Sequence, residues 1–412
     1  MKKWVVSAAL FAVIMAGSSC ARQGGGDRSS DSGIQIERGA GALADPTGDS
    51  AGETATDSSA AEMPAADSSD TPGEETPQAA GESPAPRGGL TLAFAGDIMM
   101  GTTYPADGNY LPPNCGADLF RDVKDIISAA DFAAANLEGT LLDEGGEVKK
   151  CGNPALCYAF KMPTKYVKHL TEAGFDAVGI ANNHVNDFGA TGLKSTRETL
   201  QNAGIAFSGL RESCPTAIIE RNGKKIGFAS FGHSRGTLNI MNMEEVKRVV
   251  GNLAKECDFV VVGFHGGGEG TKYTHVPHNM ETCFGENRGN VEAFAHAAVD
   301  AGADVVFGHG PHVTRAVELY KDHLIAYSLG NFCTPYRMNL KGISGHAPVI
   351  TVSINDDGTF EAGKIHSFIQ STGTGPRIDS TNSVARNMKT LTQSDFPATP
   401  LSISDDGTIS KK

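Results

Sequence analysis

The stretch from Ile180 to Gly189 reads IANNHVNDFG and marks the point at which a buried strand ends and polar residues begin. In a parallel α/β sheet, the residues just past the carboxyl end of a strand face a ligand crevice. The side-chain amide of Asn183 can ligate a hard divalent cation, and the imidazole of His184 can hold or release a proton beside it. The alternative is that Asn182 and Asn183 only shape the turn and that His184 caps the next helix.

The amino terminus has the pattern of an export signal. Lys2 and Lys3 precede an apolar run over residues 4–16, which is too short to span a bilayer, and small residues then lead to Cys20. We predict a lipoprotein-type signal peptide over residues 1–20, with Cys20 as the lipid-bearing residue. The protein is then exported to the cell envelope and lipid-anchored to a bacterial membrane. The alternative is ordinary signal cleavage without a lipid.

Residues 21–89 have the composition of a disordered acidic linker rich in Gly, Ser and Pro. They contain thirteen acidic and four basic residues and account for most of the formal net charge of −13. Such a segment buries too little apolar surface to fold. Because a nucleic-acid partner requires a concentrated basic surface, we expect no nucleic acid to bind. The folded domain is predicted over residues 90–370, followed by a polar C-terminal extension over residues 371–412 that lies on the surface or is loosely ordered.

Strand and helix patterns alternate through the first half of the folded part. Apolar runs over residues 90–97, 131–137 and 175–181 end in polar residues and indicate buried strands, with helical spacing between them. The second half shifts to antiparallel hairpins with turns at residues 222–223 and 321–322. We therefore predict an α/β fold in which two mixed β-sheets pack as a sandwich flanked by helices.

Seven cysteines follow Cys20, and the export signal predicts an oxidising compartment in which some of them pair. Cys151 and Cys157 either close a small loop together or each pair elsewhere. The odd number leaves at least one free thiol. No CxxC pair is present, so a zinc site built from cysteines is not expected.

Polar side chains end several of the predicted strands. They are Asp97, Glu138, Asn183 with His184, His265, and His309 with His312. Each alone could be a turn, cap or core residue. Together, carboxylate, amide and imidazole groups suit two divalent ions such as Mn, Fe or Zn, which can activate water for attack on a phosphoryl group. We expect Glu138 to be shared between the ions and His184 to act as the general acid.

Six motifs carry a family resemblance. In chain order they are AGDIMMG (95–101), NLEG (136–139), ANNHVNDFG (181–189), FHGGGEG (264–270), GADVVFGHGPHV (302–313) and IAYSLGNF (325–332). With them the chain resembles the bacterial capsule synthesis proteins of the CapA and PgsA type, which are poly-γ-glutamate capsule proteins. The resemblance implies the fold of the calcineurin-like metallophosphoesterases, with four layers in the order α/β/β/α.

The resemblance also implies roles for individual residues. Metal ligation is expected from Asp97, Glu138, Asn183, His265, His309 and His312, with two divalent ions and with His184 near the phosphoryl group. Glu269, Arg288 and Arg315 are further candidates for holding substrate. Their alternative role is in surface ion pairs.

The chain departs from the family patterns at four positions. Phosphoesterases carry histidine where this chain has Met99, and aspartate where it has Glu138. The capsule family more often has tryptophan at Gly266 and histidine at Gly310. Glycines at 266–268 would open the pocket or let backbone amides approach an anionic ligand.

On this resemblance, we expect synthesis, transfer or anchoring of an anionic capsular polymer such as poly-γ-glutamate, through metal-assisted hydrolysis or transfer. Expected partners are capsule-polymer synthase or export membrane proteins. One alternative is a non-catalytic binding component of an envelope polymer complex. Another is a general periplasmic metallophosphodiesterase or nucleotidase.

Overall fold

The protein is described here by a computed structural model that covers residues 89–106, 108, 110–151 and 157–412. The predicted signal peptide, Cys20 and residues 21–88 of the predicted linker lie outside the described residues. The strands are β1 (Leu90–Ile98), β2 (Phe132–Leu137), β3 (Thr140–Leu141), β4 (Lys161–Met162), β5 (Ala177–Gly179), β6 (Ala206–Ser208), β7 (Thr216–Arg221), β8 (Lys224–Gly232), β9 (Phe259–His265), β10 (Glu281–Cys283), β11 (Glu286–Gly289), β12 (Val305–His309), β13 (Val317–Tyr320), β14 (His323–Ala326), β15 (Asn331–Cys333), β16 (Val349–Ile354), β17 (Phe360–His366), β18 (Phe368–Ile369), β19 (Arg377–Ile378), β20 (Leu401–Ile403) and β21 (Thr408–Lys411). The α-helices are α1 (Lys124–Ser128), α2 (Val167–Ala173), α3 (Gly189–Asn202), α4 (Met243–Glu256), α5 (Val291–Asp300) and α6 (Ser383–Asp395).

The first large sheet has the strand order β20-β21-β17-β16-β1-β2-β5-β6, with β15 also paired to β1. Strands β1, β2, β5 and β6 run parallel, as the alternation of strand and helix predicted. From β1 outward on the other side, β16, β17, β21 and β20 pair antiparallel. The sheet is therefore mixed, and its parallel half presents the carboxyl ends of its strands at one edge.

The second large sheet has the order β13-β14-β12-β9-β8-β7. Its central strands β14, β12, β9 and β8 are parallel, and hairpins add β13 and β7 at the two edges. These hairpins turn at residues 321–322 and 222–223, where the sequence predicted them. Both residues of each turn adopt the left-handed backbone conformation, with φ of 52° at Asn222 and 67° at Asp322.

The two sheets pack face to face. Phe94 of β1 stacks on Phe307 of β12 with ring centroids 4.6 Å apart. Side chains alternate along each strand, so Phe94 enters the core between the sheets while Ala93 and Ala95 face the outer core. Helices α1, α2 and α3 cover the first sheet and contribute to that outer core, and α4 and α5 cover the second. The predicted sandwich of two mixed sheets flanked by helices is confirmed.

Residues 371–412 belong to the folded unit, and the expectation of a loose surface extension is wrong. Helix α6 buries Val384, Ala385 and Met388 in the core between the sheets, and β21 pairs with β17. Spacings of three and four residues place these apolar side chains on one face of the helix. The polar composition concealed this pattern, because the opposite face of α6 carries the polar residues.

No helix in the described part of the chain is long and apolar enough to cross a membrane. Cys151 and Cys157 are joined by a disulfide, which resolves the choice left open by their spacing. Cys214, Cys257, Cys283 and Cys333 are free thiols.

Candidate metal centre

The carboxyl ends of parallel strands from both sheets converge on one cluster of polar side chains. Asp97 lies near the end of β1, and Glu138 directly follows β2. His265 and His309 are the last residues of β9 and β12 and are register partners in the second sheet. The sandwich therefore brings carboxylates of one sheet to imidazoles of the other.

The distances within this cluster are short. Asp97, Glu138 and His265 each offer a ligand atom, and these atoms lie within 4.8 Å of one another. His265 Nδ1 is 3.5 Å from Glu138 Oε2, and His309 Nδ1 is 3.4 Å from Asp97 Oδ1. His312 Nδ1 lies closer, 2.9 Å from Asp97 Oδ2, where it forms a hydrogen bond. We call these five side chains the metal centre because they are the candidate ligands for divalent ions.

Several polar atoms at the metal centre are buried and have no hydrogen-bond partner in the described part of the chain. They are Glu138 Oε1 and both ring nitrogens of His265 and His309. Asn183 Oδ1, which precedes His184 in the chain and belongs to the cavity lining, is unpaired as well. Buried polar atoms in folded proteins are almost always paired, because an unpaired group forfeits its hydration. Oxygen and imidazole donors with unused lone pairs fit a divalent cation of the Mn, Fe or Zn type. The residues present therefore fit the metal that the sequence led us to expect.

The ionisation of the centre follows from burial and from mutual contact. Burial opposes the charge on Asp97, but His309 and His312 outweigh it and hold the pKa of Asp97 below its usual range. Burial and the charge of Asp97 raise the pKa of Glu138 well above its usual range. Burial lowers the pKa of His265 well below its usual range, so its ring is neutral and can offer a lone pair.

His312 behaves differently from the other imidazoles of the centre. Burial works against its charge, but the hydrogen bond to Asp97 raises the pKa of His312 to about 9. Its backbone is in the left-handed region with a φ of 56°. The carboxylate of Asp97 thus holds a protonated imidazole at neutral pH when no cation competes for it.

Two asparagines hold the carboxylates in place. Asn136 Nδ2 donates to Asp97 Oδ1 at 2.8 Å and to Glu138 Oε2 at 2.5 Å. Asn182 Nδ2 in turn donates to Asn136 Oδ1 at 2.9 Å and to the carbonyl of Leu137 at 2.8 Å. Sequence reasoning quoted both asparagines without giving them this role. The alternation of side chains along β2 could have indicated this role for Asn136, because it puts residues 136 and 138 on the same face of the strand.

His184 is held beside the centre by Asp187 and Lys149. His184 Nδ1–H donates to Asp187 Oδ2 at 2.8 Å, which leaves Nε2 facing Glu138 Oε1 at 3.8 Å. Lys149 Nζ lies 2.6 Å from Asp187 Oδ1, and the Phe160 ring packs on the imidazole at 4.4 Å between centroids. Burial lowers the pKa of His184 although Asp187 acts in the opposite direction. Sequence reasoning missed Lys149, which lies 35 residues away.

A cavity of about 540 Å³ opens beside the metal centre. Its lining includes Asn183, His184, Glu269 and Arg288. Arg288 donates from Nη1 to Glu269 Oε1 at 2.7 Å and from Nη2 to Glu286 Oε2 at 3.0 Å. Glu269 and Arg288 are therefore brought to the cavity, where they are already paired with each other.

Arg315 is not brought to the cavity. Its side chain is fully buried and makes two hydrogen bonds to Glu281, at 2.8 and 2.7 Å, and a third to the carbonyl of Tyr273 at 2.8 Å. We assign no substrate contact to Arg315. The alternative of a surface ion pair is also wrong, because the pair lies in the interior.

The glycine-rich loop does not offer its amides to a ligand. The amides of Gly266 and Gly267 donate to the carbonyls of His309 and Arg288, both at 2.9 Å, and the amide of Gly268 donates to Glu281 at 2.9 Å. The expectation that these amides approach an anion is wrong, because neighbouring strands and loops already use them.

Gly310 explains one departure from the family pattern. Its φ is 115°, and a Cβ there would lie 2.6 Å from the carbonyl oxygen of Gly266. A histidine at position 310 would therefore require a different backbone conformation of this loop. A tryptophan at Gly266 is prevented in the same way, since its Cβ would lie 2.9 Å from the carbonyl of Arg288.

Comparison with known proteins gives consistent matches. The family model described as "Bacterial capsule synthesis protein PGA_cap" matches residues 91–336, more than half of the chain. "Capsule biosynthesis protein CapA" of Bacillus anthracis is 30% identical over 262 residues, covering 59% of this chain and 59% of that protein. "PGA biosynthesis protein CapA" of Bacillus subtilis is 30% identical over 260 residues, covering 59% of this chain and 63% of that protein.

The match therefore spans about three fifths of the length of these two curated relatives. Among solved structures, a phosphatase from Mycoplasma pneumoniae aligns with a TM-score of 0.43 at 14% identity, covering 69% of this chain and 95% of that one.

Proposed function

The chain belongs to the bacterial capsule synthesis protein family, and from this premise we propose that it serves the synthesis, transfer or anchoring of an anionic capsular polymer such as poly-γ-glutamate. The names of the two Bacillus relatives, which refer to capsule and PGA biosynthesis, support this role. Export, a lipid on Cys20 and membrane partners that make or export the polymer are part of the same proposal.

The observation that carries a chemical role is the set of unpaired buried donors at the metal centre. The divalent ions would be held by Asp97, Glu138, His265, His309 and His312. Glu138 remains the carboxylate that we expect the two ions to share. Asn183, with its unpaired Oδ1, completes the set. Bound divalent ions would supply Lewis-acid polarisation of a phosphoryl or carbonyl oxygen. Two ions of the Mn, Fe or Zn type match this number of donors.

The chain's own residues then orient the substrate and move a proton. Asp187 fixes the imidazole of His184 so that Nε2 faces the centre. When Nε2 takes up a proton from water, Asp187 stabilises the imidazolium, which can then deliver that proton to a leaving group. Phe160 and Lys149 restrict movement of this pair. The cavity lined by Glu269 and Arg288 provides space for the rest of the substrate.

One observation favours a second candidate, a binding component of an envelope polymer complex without catalysis. Met99 is completely buried at the position where phosphoesterases carry a histidine, and the loop at Gly310 has no room for a side chain. The donor set therefore lacks the phosphoesterase histidine at position 99 and the histidine that the capsule family more often has at position 310. A member with metal but without turnover would fit this second candidate.

The test measures metal content and turnover together on the full chain purified without chelator. We expect about two equivalents of metal by mass spectrometry in the parent, and less than half of that in His265→Ala. His184→Ala should keep its metal and lose at least about a hundredfold in turnover of bis(p-nitrophenyl) phosphate or poly-γ-glutamate. The matched control is His296→Ala, because His296 pairs with Glu318 outside the centre.

Each outcome separates the candidates. Metal with turnover supports the enzyme, and metal without turnover on either substrate supports the binding component. A parent protein that holds no metal, even after incubation with Mn or Zn, would contradict the metal centre itself.

A further inference from the structure

Arg337 lies shortly after β15, and its charged side chain has no hydrogen-bond acceptor among the described residues. Its guanidinium carbon lies 5.1 Å from the ring centroid of Tyr110 and 5.1 Å from that of Tyr158. Within the part of the chain that the structure describes, Arg337 has no hydrogen bond or ion pair, and its Nε is buried without a partner. Two aromatic rings therefore fix the position of a cation whose donors remain unused.

The contrast with the other arginines near the centre is sharp. Arg288 contacts two carboxylates, and Arg315 makes a two-point contact with Glu281. Their charges are neutralised inside the protein. Arg337 is neutralised by none of the described carboxylates, so it retains both its charge and its planar fork of donors for an external oxyanion.

The position of Arg337 places it next to the cavity. Tyr158 lines the cavity together with Asn183 and His184, and it is 42% exposed. Asn331 Nδ2 donates to the carbonyls of His312 at 3.2 Å and Asn339 at 3.4 Å, which ties the loop carrying Arg337 to the metal centre. Arg337 therefore packs on a tyrosine that lines the same cavity as His184.

The charges around the cavity favour an anion on this side. Lys149 is engaged by Asp187, and the carboxylates of Glu269 and Glu286 are engaged by Arg288. Lys150 also lines the cavity and is almost fully exposed, with only an equally exposed partner. Arg337 and Lys150 thus supply the positive charge that the internal pairs do not cancel.

We propose that Arg337 anchors a carboxylate of an acidic chain whose neighbouring part occupies the cavity at the metal centre. The proposal rests on the proposed function, because it assigns the polymer's acidic side groups to a particular contact. The planar carboxylate matches the planar guanidinium in a two-point hydrogen bond, and the two tyrosine rings reduce the entropy lost on binding. Successive carboxylates along a polymer would then set its register in the cavity.

The test uses the full chain freed of metal by chelation and dialysis, so that carboxylates cannot bind through a metal. Ligand-observed NMR follows two probes, glutarate and a γ-linked glutamate tetramer. Arg337→Met should weaken the binding of both probes by about tenfold or more. Arg337→Lys should give an intermediate loss, because lysine keeps the charge but not the fork. The matched control is Arg235→Met, an exposed arginine whose carbonyl accepts from Asn186, and it should change binding by less than about twofold.

The outcomes distinguish this proposal from the proposed function. If the parent binds glutarate but not the tetramer, and Arg337→Met loses glutarate binding, the carboxylate anchor is supported and the polymer role is contradicted. Equal binding of both probes by the parent and Arg337→Met would overturn the anchor and leave the polymer role standing. A parent that binds neither probe would overturn both. Thermal melting of Arg337→Met and Arg337→Lys shows that each variant is folded.

Discussion

Two buried clusters of charged side chains in this protein differ in how completely their polar atoms are hydrogen-bonded. In the pair of Arg315 and Glu281, each carboxylate oxygen accepts a hydrogen bond from the guanidinium, and both side chains are almost completely buried. At the metal centre, both nitrogens of His265 and of His309 are equally buried but have no hydrogen-bond partner among the residues that the structure describes. Burial alone therefore does not identify a site. A cluster of unpaired atoms is the better indicator, because a structural pair completes itself and a ligand site leaves donors for the ligand.

Breaking the internal pair should give the largest loss of stability. Arg315→Met leaves the Glu281 carboxylate buried without its counter-charge, and we expect the free energy of unfolding to fall by about 3–5 kcal/mol. Glu281→Gln combined with Arg315→Met removes both charges and should recover about half of that loss. Chemical denaturation of the three proteins measures these differences.

The control for this prediction is the pair of Arg221 and Asp176, in which Arg221 is 43% exposed. Arg221→Met should change the free energy of unfolding by less than about 1 kcal/mol, because exposed ion pairs contribute little. Equal losses in Arg315→Met and Arg221→Met would show that the buried pair is not structural.

Asp304 tests an intermediate case, a carboxylate that is 14% exposed and has few partners among the described residues. It accepts one hydrogen bond from the amide of Val260, at 2.7 Å, and His323 approaches it only to 4.0 Å. Burial raises the pKa of Asp304 to about 6, above its ordinary value of 3.8. Since the folded protein prefers the protonated form, this contribution to stability is present below pH 3.8 and is lost as the pH rises through about 6.

The measurement compares the parent with Asp304→Asn, which keeps an acceptor for Val260 and removes the charge. Between pH 4 and pH 7, the parent should lose about 2 kcal/mol of unfolding free energy relative to the variant. Parallel pH profiles for the two proteins would mean that Asp304 is stabilised by partners beyond Val260 and His323.

The sequence predicted the architecture well because the controlling signals are local. Alternation of apolar runs and helical spacing predicted β1, β2 and β5 with parallel pairing, and the asparagine-glycine pair at 222–223 predicted a hairpin. The polar ends of these strands predicted which side chains meet at the sheet edge. Their convergence in the structure follows from parallel pairing, which aligns carboxyl ends. Their roles as ligands stay a prediction.

The remaining features depend on contacts that no local pattern encodes. Arg315 and Glu281 are 34 residues apart, and only the tertiary structure shows that the arginine points inward. The glycine amides at 266–268 were available to a ligand on sequence grounds, but neighbouring carbonyls and Glu281 accept from them. The apolar face of α6 was diluted by polar residues, so its packing between the sheets was missed.

The most direct test of the central claim is the stability of His265→Leu with and without a divalent ion. Without metal, the variant should match the parent within about 1 kcal/mol or exceed it, because leucine replaces a buried ring whose nitrogens have no hydrogen-bond partner in the described structure. With Mn or Zn at a hundred times its Kd, the parent should gain about 2.7 kcal/mol and the variant much less. A variant that is several kcal/mol less stable without metal, together with a parent that gains nothing from either ion, would contradict the account and make the cluster structural.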